Sequence, residues 1–311
     1  MSSPDGNVVT VGTFDGVHRG HHAVLEAAAG RAERAGCGSM LVTFEPHPLE
    51  VVNPPAAPPR LTTAVERLEA IATTRLGRML VLRFDRTMAA SSPEEFVDQV
   101  LLGRCAMREL VIGHDHGFGR GRSGDATTLQ ELGRARGFPV EVVERVTRDG
   151  VPVSSTAIRC AIAGGDFVTA ARQLGRRYSL SGKVERGEHR GHQLGFPTVN
   201  LAVPARKLLP PDGVYVAMVE TPAGRFGAMM NQGHRPTFDD GRRLVEAHLF
   251  GFDRDLYDRW VRIEWIAPLR EIRRFDGVAA LRRQLEDDRL HALAILAGTR
   301  LDPDAPFAAP E

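Results

Sequence analysis

The chain has 311 residues, with 40 Lys and Arg against 39 Asp and Glu and a formal net charge of +1. That balance removes a bulk electrostatic case for nucleic acid or a membrane surface as partner, and the length suits two domains better than one. The three cysteines, Cys37, Cys105 and Cys160, are odd in number and widely spaced, so they suit a reducing compartment and make no metal pattern.

The first half alternates short apolar runs with helical stretches. Runs at residues 8–11, 40–44, 79–82, 110–112 and 140–143 are bounded by turn residues and read as buried parallel strands. Between them, residues 22–34 are alanine-rich, residues 62–76 follow a proline-rich loop, and Ser92-Pro93-Glu94-Glu95 has the form of a capping box with Pro at the first helical position. The pattern predicts a doubly wound α/β sheet, whose ligands bind at the carboxyl ends of the strands.

Four loops follow those strands. Residues 12–22 read Gly-Thr-Phe-Asp-Gly-Val-His-Arg-Gly-His-His between the first strand and the first helix. A strand, a glycine turn and a helix start make a place for phosphate, because helix N-terminal amides and the dipole favour an anion. His18 and His21 stand at that end, with Gly12, Phe14 and Gly20 around them. A metal pair or ordinary loop histidines are the other readings. The Gly-Lys-Ser/Thr ending of a Walker loop is missing. In Thr43-Phe44-Glu45-Pro46-His47-Pro48 the prolines stiffen a turn that can present Phe44 and His47. After the fourth strand, the loop from Gly113 to Arg122 has glycines for close backbone approach and arginines suited to phosphate, with Asp115 at its start. His114, Asp115 and His116 are neighbours, and neighbouring residues seldom chelate one metal together. Finally, Ser154-Ser155-Thr156-Ala157-Ile158-Arg159 reads as a loop entering a helix. Its hydroxyls and amides can hold phosphate oxygens, with Arg159 one turn on; a plain cap with a surface Arg is the alternative.

The character changes near Leu174. Val214, Val216 and Met218 alternate, as do Val261, Ile263 and Trp265, which reads as antiparallel strands. A long helix over about 277–297 carries Leu281, Leu285, Leu290 and Ala294 on one stripe, so an antiparallel β-barrel closed by a helix is expected. Gly182, Lys183 and the glycine-spaced residues to 191 lead into Gly195-Phe196-Pro197-Thr198-Val199-Asn200. Thr198 and Asn200 offer neutral oxygens suited to Mg²⁺ carried by nucleotide phosphates, although a turn and strand start explains the same residues. In residues 244–249, Val245, Ala247 and Leu249 fill one face and Glu246 and His248 share the other. Glu246 can act as general base toward a hydroxyl, or be a solvated strand residue.

These pieces in this order, with residues 231–238 added, resemble the bacterial bifunctional riboflavin kinase/FMN adenylyltransferase (FAD synthetase) family over the whole chain except its tail. The resemblance implies a Rossmann-like nucleotidyltransferase domain at 1–173 and a riboflavin kinase barrel at 174–311, making FMN from riboflavin and ATP and then FAD from FMN and ATP, both with Mg²⁺. It implies that His18 and His21 stabilise the α- and β-phosphates, and that Ser155, Thr156 and Arg159 hold the β- and γ-phosphates. Gly12, Phe14, Gly20 and Asp115 would complete that nucleotide site. In the kinase, Gly182, Lys183, Gly195, Pro197, Thr198 and Asn200 would bind ATP, Thr198 and Asn200 with Mg²⁺, and Glu246 would be the base. The resemblance further implies flavin contacts at Phe44, His47, Asn231 and Arg270. The chain departs from the family at Asp115-His116-Gly117 and at Gly251, where an acid is frequent. The expected setting is cytoplasmic, with small-molecule substrates, no nucleic acid, no membrane, and a monomer or weak homo-oligomer. A chain with one degenerate half, a flavin-binding regulator without turnover, and a nucleotidyltransferase for another vitamin are the competing readings. The proline-rich tail after Leu301 is expected to lack structure.

Overall fold

The computed structural model describes residues 6–117, 124–187, 191, 194–234 and 243–298. The chain divides into two compact units, Met1–Ser155 and Thr156–Glu311. No helix among the described residues is long and apolar enough to cross a membrane.

The first unit runs β1 (Asn7–Val11), α1 (Arg19–Arg34), β2 (Gly38–Glu45), α2 (Pro48–Val52), α3 (Ala64–Ala72), β3 (Arg78–Arg83), α4 (Arg86–Ala90) and α5 (Pro93–Phe96), which continues into a wider helical stretch, Val97–Arg104. Then come β4 (Met107–Gly113), α6 (Ala126–Arg136), β5 (Val140–Val143) and a small hairpin, β6 (Thr147–Arg148) with β7 (Val151–Pro152). Strands β1 to β5 pair parallel in the order β3-β2-β1-β4-β5. Each was legible as an apolar run because the sheet is covered on both faces. Met40, Val42, Phe44, Leu110 and Ile112 belong to one core, and Val8, Leu41 and Val111 to the other, with Leu25 and Ala28 of α1. The strand order reverses between β1 and β4, so the crevice of a doubly wound sheet lies beyond their carboxyl ends.

The second unit opens with α7 (Ser155–Ala163), which starts on the last residue of the first unit, and α8 (Phe167–Leu174). Strands β8 (Ser179–Glu185), β9 (Val199–Ala202), β10 (Gly213–Thr221), β11 (Gly224–His234), β12 (Arg243–Leu249) and β13 (Trp260–Arg270) close an antiparallel barrel in the order β10-β11-β12-β9-β8-β13. Leu180, Leu201, Ala217, Val245, Ala247, Ile263 and Trp265 are buried, as alternation puts one face of each strand inside. Helix α9 (Val278–Gly298) packs Ala292 and Leu296 on Val216, Met218 and Met229 of the outer face.

The stripe on α9 differs from the sequence expectation. Leu290 is 63% exposed and Ala294 is exposed, while Leu285, Asp288, Ala292 and Leu296 face the barrel. The packed face runs on from Leu285 through Asp288 instead of Leu290, and Arg270 of β13 binds that acid. Arg270 Nε lies 3.0 and 2.9 Å from the two carboxylate oxygens of Asp288, whose side chain is 2% exposed. A buried charge persists only when paired in this way.

Candidate active sites

The loop from β1 to α1 bends through left-handed backbone at Phe14 (φ 49°), Gly16 (φ 86°) and Val17 (φ 40°). Non-glycine residues held there cost roughly 1–3 kcal/mol each and persist when the surroundings over-determine them. The bend ends on His18, the N-cap of α1. His18 Nδ1 accepts from the His21 backbone N–H at 3.3 Å, and His21 Nδ1 accepts from the His18 N–H at 3.4 Å. A backbone N–H can only donate, so each neutral ring carries its proton on Nε2. The rings stack with centroids 3.6 Å apart. Two Nε2–H donors are thereby fixed at a helix N-terminus, where amides and dipole already favour an anion.

The glycines of the motif have local reasons. A Cβ on Gly20 would meet the His18 ring at 3.2 Å, and one on Gly12 would meet the Phe14 ring at 2.8 Å. Phe14 is itself buried and lies 4.7 Å from the His21 ring, so it backs the histidine pair. Ser155, the last residue of the first unit, donates through Oγ to the Asp15 carbonyl of the same unit at 3.0 Å. Thr156 and Arg159 follow on α7 in the second unit.

Asp115 is exposed in a turn after β4, which His116 N–H closes onto the Gly113 carbonyl at 3.1 Å. Its neighbour His114 accepts at Nε2 from Arg145 Nε at 2.7 Å. The expected phosphate-binding arginines of this loop, Arg120 and Arg122, lie outside the described residues. No group of acidic, histidine or cysteine side chains able to hold a metal occurs among the described residues. In the β2 loop, His47 caps α2 by accepting from Leu49 N–H at 3.2 Å. Contrary to the expectation of a presented ring, Phe44 is 6% exposed and packs on Phe84 and Phe96, so it belongs to the core. With Met40 and Val42 it points into the core on one of the sheet's two covered faces.

On the barrel, Glu246 of β12 stands opposite Asn200 of β9 on one side and Asn231 of β11 on the other. The rung continues from Asn200 to Glu185 and from Asn231 through Val214 to Arg270. Directly opposed residues share a face, and buried Val245 and Ala247 take the inner one, so this rung faces outward. Asn200 is nevertheless 4% exposed, because Gly187 lies over it: a Cβ there would sit 2.4 Å from Asn200 Nδ2. Its Oδ1 is buried without a hydrogen-bond partner among the described residues.

His248, next on the outer face of β12, is held to the Gly195–Thr198 turn through Nδ1 and the Pro197 carbonyl, 2.8 Å apart. The carbonyl must accept, so Nδ1 carries the proton. Burial holds this imidazole below its ordinary value, and the Pro197 contact offsets part of that. Gly195 has φ +84°, which the turn requires. Three residues expected at a ligand stand elsewhere. Gly182 faces the barrel interior, where a Cβ would meet Leu201 at 3.3 Å, and Lys183 is exposed and paired with Asp258 at 3.0 Å. Arg270 is engaged with Asp288. Of the segments flanking the site, residues 188–190 and 235–238 lie outside the described residues, as does the tail after Leu301.

Sequence reasoning missed Asp15, Thr62, Arg67, Gly187 and Asp288. Asp15 was inside the first motif and Gly187 inside the glycine-spaced loop from 182 to 191, neither with a role of its own; Thr62, Arg67 and Asp288 carry no local signal, because their partners are distant in sequence.

A histidine-capped helix on a parallel sheet, joined to a barrel with an Asn–Glu–Asn rung, defines a two-unit nucleotide-dependent transferase. Residues 1–157 match the FAD synthetase family and residues 174–296 the riboflavin kinase family. The chain is 39% identical over 293 residues to the bifunctional riboflavin kinase/FMN adenylyltransferase of Pseudomonas fluorescens, covering 94% of each chain. It is 32% identical over 299 residues to that of Bacillus subtilis, again covering 94% of each. The chain belongs to the bifunctional riboflavin kinase/FMN adenylyltransferase family. A crystal structure described as a macrolide-efflux protein from Streptococcus pneumoniae superposes with a TM-score of 0.83 at 28% identity, covering 94% of this chain and 95% of that one. That description concerns the other protein.

Proposed function

We propose that this chain converts riboflavin to FMN on the barrel and FMN to FAD on the parallel-sheet unit, using ATP in both steps. The observation that carries the reading is that one chain holds both a reciprocal histidine cap at a helix N-terminus and a strand rung that sets Glu246 between Asn200 and Asn231. The working division is residues 1–173 for adenylyl transfer and 174–311 for the kinase.

In the kinase step, Glu246 takes the proton of the terminal ribityl hydroxyl while that oxygen bonds the γ-phosphorus of ATP and ADP leaves. Asn200 fits a hard cation, since its buried Oδ1 lacks a partner among the described residues, and Thr198 precedes it on the same segment. Thr198 and Asn200 would hold Mg²⁺ with ATP, which neutralises phosphate charge there. His248 keeps the Pro197 turn against β12.

In the adenylyl step, an FMN phosphate oxygen bonds the α-phosphorus of ATP, the bond to the β-phosphate bridging oxygen breaks, and pyrophosphate leaves. No protein nucleophile is required. The Nε2–H groups of His18 and His21 donate to phosphate oxygens as charge develops, with Ser155, Thr156 and Arg159 holding the leaving phosphates. Asp115 orients nucleotide or flavin phosphate, and His47 and Asn231 contact flavin. The reading places the enzyme in the cytoplasm as a monomer or weak homo-oligomer, without nucleic-acid partners, in keeping with its near-neutral charge.

Purified protein incubated with riboflavin, ATP and Mg²⁺, with flavins separated by chromatography, tests the proposal. FMN followed by FAD is expected. FMN alone would confine activity to the barrel, and bound riboflavin without turnover would leave a flavin-binding regulator.

A further inference from the structure

The strained loop of the first unit is held by a bracket from residues 61–67 that none of the motif residues explains. The Asp15 carboxylate accepts from the backbone N–H groups of Leu61 and Thr62, each at 3.0 Å, and from the Thr62 hydroxyl at 3.2 Å. The Thr62 oxygen in turn accepts from Gly16 N–H at 3.0 Å. One turn into α3, Arg67 reaches back with Nη1 to the Thr13 carbonyl at 3.1 Å. Its Nη2 donates to the Phe44 carbonyl at 3.2 Å and to Glu45 Oε2 at 2.9 Å. Thr13 lies two residues beyond β1, and Phe44 is near the end of β2. One guanidinium therefore ties the loop that delivers His18 and His21 to the loop that delivers His47.

Arg67 is 5% exposed, and burying a guanidinium to reach main-chain carbonyls is costly without a return in geometry. Its carboxylate partner does not account for the placement, since Glu45 is 35% exposed at its side chain and also binds Arg60 at 2.7 Å. Of the left-handed residues, Phe14 lies between the grips at Thr13 and Asp15, Gly16 is itself gripped by Thr62, and Val17 lies between that grip and the histidine cap. Conformations of that kind persist where the surroundings over-determine them.

We infer that Arg67, with Thr62, is a positioning residue for adenylyl transfer: its planar fork fixes the nucleotide-side loop against the flavin-side loop so that donor and acceptor phosphates meet in line. The inference rests on the adenylyltransferase reading above. It requires a forked donor set, so lysine, a point charge, is no substitute. Alignment of reactants acts on the transition state more than on binding, so the loss belongs to kcat and not to KM.

The test uses the full-length enzyme with FMN and ATP supplied, after the wild type has been shown to make FAD; a wild type that makes none overturns the underlying reading and not this step. Arg67→Lys is expected to lower kcat for FAD formation by about 10- to 100-fold with KM for ATP and FMN changed less than about threefold. Glu45→Gln, which keeps both carbonyl contacts of Arg67, is expected to stay within about threefold of wild type in kcat. Folding of each variant is checked by thermal melting and by ATP binding. A folded Arg67→Lys with wild-type kcat, or a loss confined to KM, overturns the inference, as does a Glu45→Gln enzyme that matches the lysine variant. Should Arg67→Lys fail to fold, Thr62→Val decides: it removes both the Gly16 contact and the hydroxyl contact to Asp15 at nearly constant volume, and an unchanged kcat in that variant overturns the inference as well.

Discussion

Glu246 on β12 and Asn200 on β9 stand directly opposite each other across an antiparallel pair, on the outer face of the barrel. The carboxylate is thus set beside the one amide oxygen in this rung that is buried and without a partner among the described residues. If Glu246 is the proposed base and Asn200 the proposed cation ligand, this pairing sets the two roles side by side, as a hydroxyl-to-phosphate transfer needs.

Glu246→Gln keeps the size of the side chain and removes its basicity. FMN formation should fall by about 10²- to 10⁴-fold, the usual worth of a positioned general base. FAD formation from supplied FMN should be unchanged in the same preparation. Parallel loss of both activities in a folded variant would show that the two reactions do not occupy separate sites.

The reciprocal experiment is His21→Ala. It removes one Nε2–H donor and one half of the histidine cap, so FAD formation should drop by at least about 10²-fold, in line with losing a preorganised donor to developing charge. The cap itself is worth about 1 kcal/mol, so a small fall in thermal stability accompanies it. Riboflavin phosphorylation, assayed separately, should stay within about twofold because the barrel strands all lie in the other compact unit. Kinase activity lost along with FAD synthesis would sink the assignment of His21.

The parallel strands and the barrel's inner faces were legible because burial on two sides, or on one, writes itself as a continuous or alternating apolar run. The rung was partly legible: the 244–249 alternation put Glu246 and His248 on the polar face, but only strand register sets Asn200 and Asn231 beside Glu246. Contacts between segments far apart in sequence were not legible. Arg67 looks like a helix surface residue until Thr13 and Phe44 are seen to converge on it. Asp288 looks solvated, and Leu290 looks buried, until Arg270 fixes the rotation of α9. Phe44 was misread because the stiff prolines beside it suggested a presented ring, while strand periodicity sends it inward.

Gly187 offers a probe of the kinase that touches no reacting group. An alanine Cβ would overlap the Asn200 amide, which is buried and has little room to swing aside. Gly187→Ala should therefore lower riboflavin phosphorylation by about tenfold, roughly 1.4 kcal/mol of misplacement, while FAD formation from FMN is unaffected. Steady-state rates of both reactions in one preparation decide it. A fully active kinase would mean that Asn200 does not have to hold its present position.

His248 links the Pro197 turn to the strand that carries Glu246, and its protonation should be visible in stability. Burial lowers its folded pKa below the ordinary 6.5. The unfolded chain then binds the proton first as pH falls, so stability rises with pH through this window and is lost on acidification below about 6.5. Arg289 acts in the same direction and Glu286 opposes it. His248→Phe suits the ring cage of Phe196 and Phe250, cannot titrate, and gives up the Pro197 contact. At pH 7.5 the wild type should be the more stable by about 1 kcal/mol, the worth of a hydrogen bond. As pH is lowered to 5 the gap in Tm should narrow, because only the wild type pays the protonation penalty. A gap that stays constant across that range would mean that His248 does not titrate differently in the folded and unfolded chains.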